Sequence, residues 1–293
     1  MKILVTGATG FIGKNLVNKL IELNIEVTVN LHSEKPSPFT NKVKTYRLNE
    51  KNIQSDIDFL KTSEFSGIIH LASLYITTHK SEEATSLVTT NVTFSTYVLE
   101  CAAKAKINWF INTGTFWQNF QNRDYSPVNL YAATKQAFEN IAQYYIETNK
   151  IKFCTLRLSD TYGPNDTRAK IFNLWNRIAR TGETLDMSMG EQVIDISFID
   201  DIVNAFILLA THLQNNRSDV NSGNVYSVMA EERFTLKELS VVFEKATKTK
   251  LNINWGEKQY RDREVMIPWE NGVLVPEWKS KTNLMEGILL VFK

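Results

Sequence analysis

An apolar run, Lys2-Ile3-Leu4-Val5, passes straight into Thr6-Gly7-Ala8-Thr9-Gly10-Phe11-Ile12-Gly13, and Phe11 opens an amphipathic stretch that reaches Leu23. Three glycines between a buried strand and a helix constrain this chain more than any other feature it has. Gly7 permits the tight turn, Gly10 lets the backbone approach a pyrophosphate, and Gly13 permits close packing of the helix. Thr9, Phe11 and Ile12 supply the backbone around the anion, which the free N–H groups and the dipole of the helix face. A glycine triplet alone is compatible with a mere strand-to-helix turn; the strand before it and the helix after it favour a dinucleotide site.

The first half keeps the same alternation. Lys2 to Val5, Val27 to Leu31, Gly67 to Ala72, Trp109 to Thr113 and Phe153 to Leu158 are continuous apolar runs that predict strands. Phe11 to Leu23, Ala84 to Lys104 and Ala132 to Asn149 carry apolar residues at helical spacing. Strands buried on both faces and joined by helices predict an α/β fold, a Rossmann-type doubly wound parallel sheet with its ligand crevice at the carboxyl ends of the strands. After Tyr162-Gly163-Pro164 the pattern loosens. Residues 1–165 are expected to form the dinucleotide-binding domain, with return segments near 194–212 and 223–230, and residues 166–293 mainly a smaller C-terminal substrate-binding lobe.

Composition narrows the partners. With 293 residues, 43% of them hydrophobic, the chain can bury a sizeable core. Its 33 basic and 32 acidic residues nearly cancel, so no net field draws it to nucleic acid or an anionic membrane. No run approaches 18 apolar residues and no signal peptide is visible. Cys101 and Cys154 lie in apolar contexts without metal spacing, which favours reduced thiols and a cytoplasmic setting, with no metal site.

Two further stretches bear on chemistry. At the end of the second strand an acidic residue would hydrogen-bond a ribose 2′-hydroxyl, whereas basic or small polar groups tolerate a 2′-phosphate. Here the stretch reads Val29-Asn30-Leu31-His32-Ser33-Glu34-Lys35. Asn30 at the strand end, with His32, Ser33 and Lys35 as phosphate donors, leans to NADP(H) over NAD(H), and Glu34 is the competing reading. Downstream, Tyr131-Ala132-Ala133-Thr134-Lys135 places a phenol and an ammonium one helical turn apart on a shared face. A cation near a phenol lowers its pKa and makes proton transfer feasible. YxxxK alone usually marks a solvated face; its weight comes from following a strand that ends Asn112-Thr113-Gly114-Thr115, whose hydroxyls can bond a reacting oxygen. His70 is expected to line the cofactor side of the sheet, Asp200-Asp201 to be a loop and helix cap, and Trp117 to border the substrate.

Taken in order, the TGxxGxxG opening, His70-Leu71-Ala72-Ser73, Asn91-Val92, the threonine strand end, YxxxK, Leu156-Arg157 through Tyr162-Gly163-Pro164, Ile194 to Asp201 and Gly223 to Val228 resemble the extended short-chain dehydrogenases, in particular the NAD-dependent epimerase/dehydratase family. That resemblance covers nearly the whole chain. It implies Thr113, Tyr131 and Lys135 as the catalytic set, and Leu71, Ala72, Ser73, Asn91 and Leu158 beside the cofactor. It also implies a nucleotide-sugar substrate touching Thr113, Thr115, Trp117 and Asp160, and a homodimer formed through the helices around 86–103 and 132–146.

Departures from the family pattern sharpen the expectation. Gly114 and Thr115 stand where dehydratases carry an Asp-Glu pair. Asp160 replaces an asparagine, and Ile194 replaces a basic residue, so the pyrophosphate of the substrate needs other cations: Arg168 and Lys170, or Arg261 and Arg263 in Tyr260-Arg261-Asp262-Arg263-Glu264, with Arg263 expected as the chief anchor. The stretches around Thr113 and Tyr131 are similar to the 4-ketoreductases of CDP-3,6-dideoxyhexose synthesis, the abequose and paratose synthase type. The expected reaction is NADPH-dependent reduction of the 4-keto group of a CDP- or dTDP-linked deoxy sugar for surface polysaccharide. An NAD-dependent nucleotide-sugar 4-epimerase is the alternative, and a non-catalytic dinucleotide-binding protein the third reading.

Overall fold

The computed structural model describes residues 1–32, 37–39 and 43–292. Its first part alternates as expected: β1 (Lys2–Thr6), α1 (Phe11–Glu22), β2 (Glu26–Asn30), β3 (Lys44–Tyr46), α2 (Ile53–Thr62) and β4 (Gly67–His70). Next come α3 (Ala84–Val88), a π-helical turn (Thr89–Phe94) and α4 (Ser95–Lys104), then β5 (Trp109–Thr115), α5 (Leu130–Glu147), β6 (Lys152–Leu158) and β7 (Asp160–Tyr162). The remainder holds α6 (Ile171–Thr181), β8 (Leu185–Met187), β9 (Val193–Ile194), β10 (Ile196–Phe198), α7 (Ile199–Gln214) and β11 (Val225–Val228). It ends with β12 (Phe234–Thr235), α8 (Leu236–Thr247), β13 (Ile253–Trp255), β14 (Val273–Leu274) and α9 (Leu284–Val291).

One eight-stranded sheet, ordered β14-β11-β6-β5-β4-β1-β2-β3, is parallel at every pairing. Alternate residues of each strand enter different cores, as the two-residue period of a strand requires. Ile3, Val5, Ile69 and Ile111 pack with α1 and α7, whereas Leu4, Ile68 and Phe110 pack with α2, α4 and α5. The first core runs on without a break into Phe172, Trp175 and Phe243 of α6 and α8. Three two-stranded sheets, β7 with β10, β9 with β12 and β8 with β13, frame the second half.

Register decides where ligands can go. Thr6 is level with His70, and His70 with Asn112, so Gly7 and Leu71, just past the ends of β1 and β4, come level with Thr113 of β5. This is also where the strand order turns back, with β1 between β2 and β4, and crevices open at such points.

One local expectation fails. Asp200 and Asp201 lie inside the first turn of α7, and the capping residue, Phe198, provides no side-chain hydrogen bond. Asp201 is buried and accepts from Ser280 Oγ (3.2 Å), Lys281 N (3.0 Å) and Thr282 N (3.1 Å), which pins the C-terminal segment to the sheet domain. Asp201→Ala would strand those donors and should cost on the order of 3 kcal/mol in a denaturant titration. An unchanged midpoint and slope would show that the segment is held by something else.

Candidate active site

Each wall of the cleft comes from a strand end. Gly7 has a φ of 67°, and a Cβ there would lie 2.5 Å from Ala72 N, so the turn after β1 is open to glycine alone. Helix α1 starts after Gly10 with no side-chain cap and no acidic residue in its first turn. A Cβ at Gly10 would meet nothing nearer than Gly7 O at 3.3 Å. A helix N-terminus left uncapped beside open backbone fits the pyrophosphate of a dinucleotide.

The second wall is held by His70, which is fully buried and does not line the cofactor side as the sequence suggested. Its ring nitrogens pair with Thr6 Oγ1 (2.8 Å) and Ser95 Oγ (2.9 Å), and burial lowers its pKa to about 3, so it is a neutral strut. Thr113 Oγ1 donates to the His70 carbonyl at 3.0 Å. Asn91, inside the π-helical turn, is also fully buried: it accepts from Ser73 Oγ (3.1 Å) and Leu74 N (2.8 Å) and donates to Thr134 Oγ1 (3.0 Å). It therefore braces the loop after β4 against α5 and does not reach into the cavity.

Asn129 caps α5 by accepting from Ala132 N (3.0 Å) and ties it to the loop after β4 by donating to Thr77 O (2.8 Å). The cap fixes where the helix begins, so Tyr131 falls in the first turn and Lys135 one turn later on the same face. Both line a cavity of about 260 Å³ together with Thr113, Thr115, Trp117, Gly7, Gly10, Phe11, Ile12 and Gly13. Leu71, Ser73, Leu158, Asp160, Arg168 and Lys170 line it too.

The electrostatics differ from the expectation at one point. Burial raises the Tyr131 phenol above its ordinary value, Tyr75 adds to the rise, and Ser73 partly opposes it. Lys135 is itself 1% exposed, and burial brings it down to about 8 against the pull of Glu139. A phenol in this setting is held as the acid, the form that donates a proton.

The expected substrate anchors divide into two groups. Lys170 Nζ pairs with Asp160 Oδ1 at 2.8 Å and lies 5.1 Å from the Tyr75 ring centre, while Arg168 pairs with Asp166 and lies 4.5 Å over Phe11. Arg261 and Arg263 do not line the cavity. Arg261 is held bidentately on Glu264 through Nε and Nη2, and Arg263 bonds Ser126 Oγ (2.8 Å) over the Phe120 ring. Of the four expected anchors, Lys170 and Arg168 stand on the cavity wall, whereas Arg263, expected as the chief one, does not.

At the cofactor end, buried Asn30 spends its Oδ1 on Leu48 N (3.0 Å), bridging β2 to the segment after β3. Asn30, His32, Thr9 and Ala72 do not line the cavity, and Ser33 and Lys35 lie outside the described residues. Tyr75 was not anticipated. Its ring stands edge-on to Tyr131 at 5.1 Å and tilts against Trp117 at 5.7 Å, so it borders the reacting end of the cleft. It sits in a loop without periodicity, which left no signal beyond its nearness to Ser73.

A model of the NAD dependent epimerase/dehydratase family matches residues 3–226. The chain is 28% identical to a CDP-abequose synthase of Salmonella typhimurium, over 98% of this chain and 95% of that protein. To a CDP-abequose synthase of Yersinia pseudotuberculosis it is 29% identical, over 92% of each. It shares its fold, with a TM-score of 0.83 and 20% identity, with the UDP-glucuronic acid 4-epimerase of Bacillus cereus in complex with UDP-glucuronic acid and NAD; the match covers 100% of this chain and 98% of that one.

Proposed function

The chain belongs to the NAD dependent epimerase/dehydratase family, and on that premise we propose that it is a cytoplasmic, NADPH-dependent reductase of the 4-keto group of a CDP- or dTDP-activated deoxy sugar, serving surface-polysaccharide synthesis. The observation that carries this reading is the likeness to CDP-abequose synthases along nearly the whole chain, on a cleft that gathers Thr113, Tyr131, Lys135 and the glycine loop.

Gly7, Gly10, Phe11, Ile12 and Gly13 would hold the dinucleotide pyrophosphate, and Lys135 the nicotinamide ribose. When bound, the reduced dinucleotide supplies a hydride. Tyr131 donates its phenolic proton to the carbonyl oxygen as charge develops there, and Thr113 turns its hydroxyl from the His70 carbonyl to bond the same oxygen. The cationic Lys135 stabilises the phenolate that remains until solvent returns the proton. Gly114 supports reduction over water loss: it offers no carboxylate, and a Cβ there would strike Arg157 Cγ at 2.7 Å.

The test is incubation with NADPH or NADH and a panel of nucleotide 4-keto sugars, following absorbance and product mass. NADPH is expected to bind more tightly, because Asn30 offers a carboxamide where an NAD-selective strand end carries a carboxylate. Tighter binding of NADH, with interconversion of nucleotide hexoses and no net consumption of cofactor, would establish the second reading. That reading is a nucleotide-sugar 4-epimerase, favoured by the fold shared with the Bacillus cereus enzyme.

The same proposal places the substrate pyrophosphate on Lys170 and Arg168. A charge-assisted bond contributes on the order of 1.5–3 kcal/mol, so Lys170→Ala should raise KM roughly tenfold or more with dinucleotide affinity unchanged. Unchanged KM in both Lys170→Ala and Arg168→Ala would move the anchor elsewhere. Homodimerisation through α4 and α5 accords with the exposure of Ile141 (36%) and Tyr144 (60%) on α5, and a solution mass would check it.

A further inference from the structure

Beneath the cleft lies a buried ion pair whose members do not line the cavity. Arg157 of β6 donates Nη2 to Glu139 Oε2 at 2.7 Å, and the two side chains are only 8% and 9% exposed. Arg157 Nη1 donates to Asn119 Oδ1 (2.7 Å), and its guanidinium lies 5.4 Å over Trp269. Gln118 Nε2 donates to Glu139 Oε1 (3.0 Å) and to Gln136 Oε1 (2.8 Å), while Gln118 Oε1 accepts from Thr115 N (2.9 Å).

Such a pair contributes little stability over apolar residues of the same volume, because desolvation offsets the attraction. Its connections suggest another use. One carboxylate is bonded to β6 and, through Gln118, to the backbone two residues after Thr113; it also sits one helical turn after Lys135.

We propose that Glu139 is a positioning residue for Lys135: its carboxylate, held by Arg157 and Gln118, keeps the buried lysine cationic, and the same bracket fixes the strand end that carries Thr113 and Thr115. This rests on the reading of Lys135 as the partner of Tyr131. Burial pulls Lys135 down to about 8, and Glu139 is the group that opposes it. The other titratable groups around Lys135 are Tyr131 on the same helix face, His70 from β4, which is neutral, and Arg157 from β6 behind Glu139. A lysine needed as a cation loses its role as pH rises through its pKa. With the carboxylate gone, burial and Arg157 both push that pKa lower, so the loss moves to lower pH.

The experiment is a carbon-13 NMR titration of lysine-labelled protein, with Lys135→Met for assignment, run beside the pH profile of kcat/KM. Glu139→Gln should lower the Lys135 midpoint by about one pH unit or more, at the effective dielectric of a protein interior, and carry the alkaline limb of the profile with it. Glu139→Asp should restore both. Gln118→Leu, which leaves the carboxylate, should raise KM with the Lys135 midpoint in place. The proposal is overturned if Lys135 titrates alike in wild type and Glu139→Gln. Should that variant not fold, a shift of the Lys135 midpoint in Gln118→Leu, which keeps the carboxylate, overturns it equally. The NMR midpoint does not depend on turnover, so a failure to reduce any keto sugar would count against the proposed reaction and leave the coupling to be judged by itself.

Discussion

Tyr131→Phe is expected to retain no more than about a hundredth of wild-type turnover, since a positioned proton donor contributes typically 10²–10⁴-fold. The substitution removes one hydroxyl and keeps the ring. The edge-on contact with Tyr75 at 5.1 Å therefore survives, the cap of α5 by Asn129 is untouched, and the glycine loop is on another element. Dinucleotide affinity should be nearly unchanged, and kcat and kcat/KM should fall together, the signature of an interaction made only in the transition state. Because burial holds the phenol above its ordinary pKa, the donor form persists through the neutral range, and wild-type reduction should show no acid-side loss from this group. Single-turnover rates with NADPH, paired with a dinucleotide titration, separate the two quantities. Near-wild-type turnover would remove Tyr131 from the mechanism.

The parts of the site legible in the sequence are those tied to a period. A strand run fixes where β1 and β4 end, and parallel register then brings Gly7, Leu71 and Thr113 abreast without further information. Four-residue spacing on a helix did the same for Tyr131 and Lys135. Charges in loops carry no such period. Arg168, Lys170, Arg261 and Arg263 look alike as letters, and only their placement separates them: Arg168 and Arg261 are both paired with a carboxylate, but Arg168 and Lys170 stand on the cavity wall whereas Arg261 and Arg263 do not. Burial was illegible for the same reason. His70 and Asn91 belong to motifs that point toward a ligand, yet both face inward and hold the loop after β4, a role set by residues far along the chain. Asp201 resembled a cap because its partners, Ser280 to Thr282, lie some eighty positions away.

Gly13→Ala should be strongly damaging in the dinucleotide half of the cleft, although helix propensity argues the other way. Alanine within a helix is favoured over glycine by roughly 0.5–1 kcal/mol. Against that, a Cβ at Gly13 would stand 2.3 Å from Gly7 O and 2.6 Å from Ala8 Cα, both backbone atoms that no side-chain rotation can clear. Overpacking against a well-packed interior costs typically 1–3 kcal/mol, so the net loss should be about 2 kcal/mol or less, and relief requires α1 to lift away from the turn after β1. That movement displaces the N–H groups of the helix start from the place where the pyrophosphate is held. Dinucleotide affinity should therefore fall along with the melting temperature, by up to roughly thirtyfold at 1.4 kcal/mol per factor of ten. Gly10→Ala separates the two effects. Its Cβ has room apart from Gly7 O at 3.3 Å, so melting should change little while affinity still drops, because the added carbon occupies the approach of the anion. Wild-type affinity in Gly10→Ala would mean that the pyrophosphate does not rest on this turn.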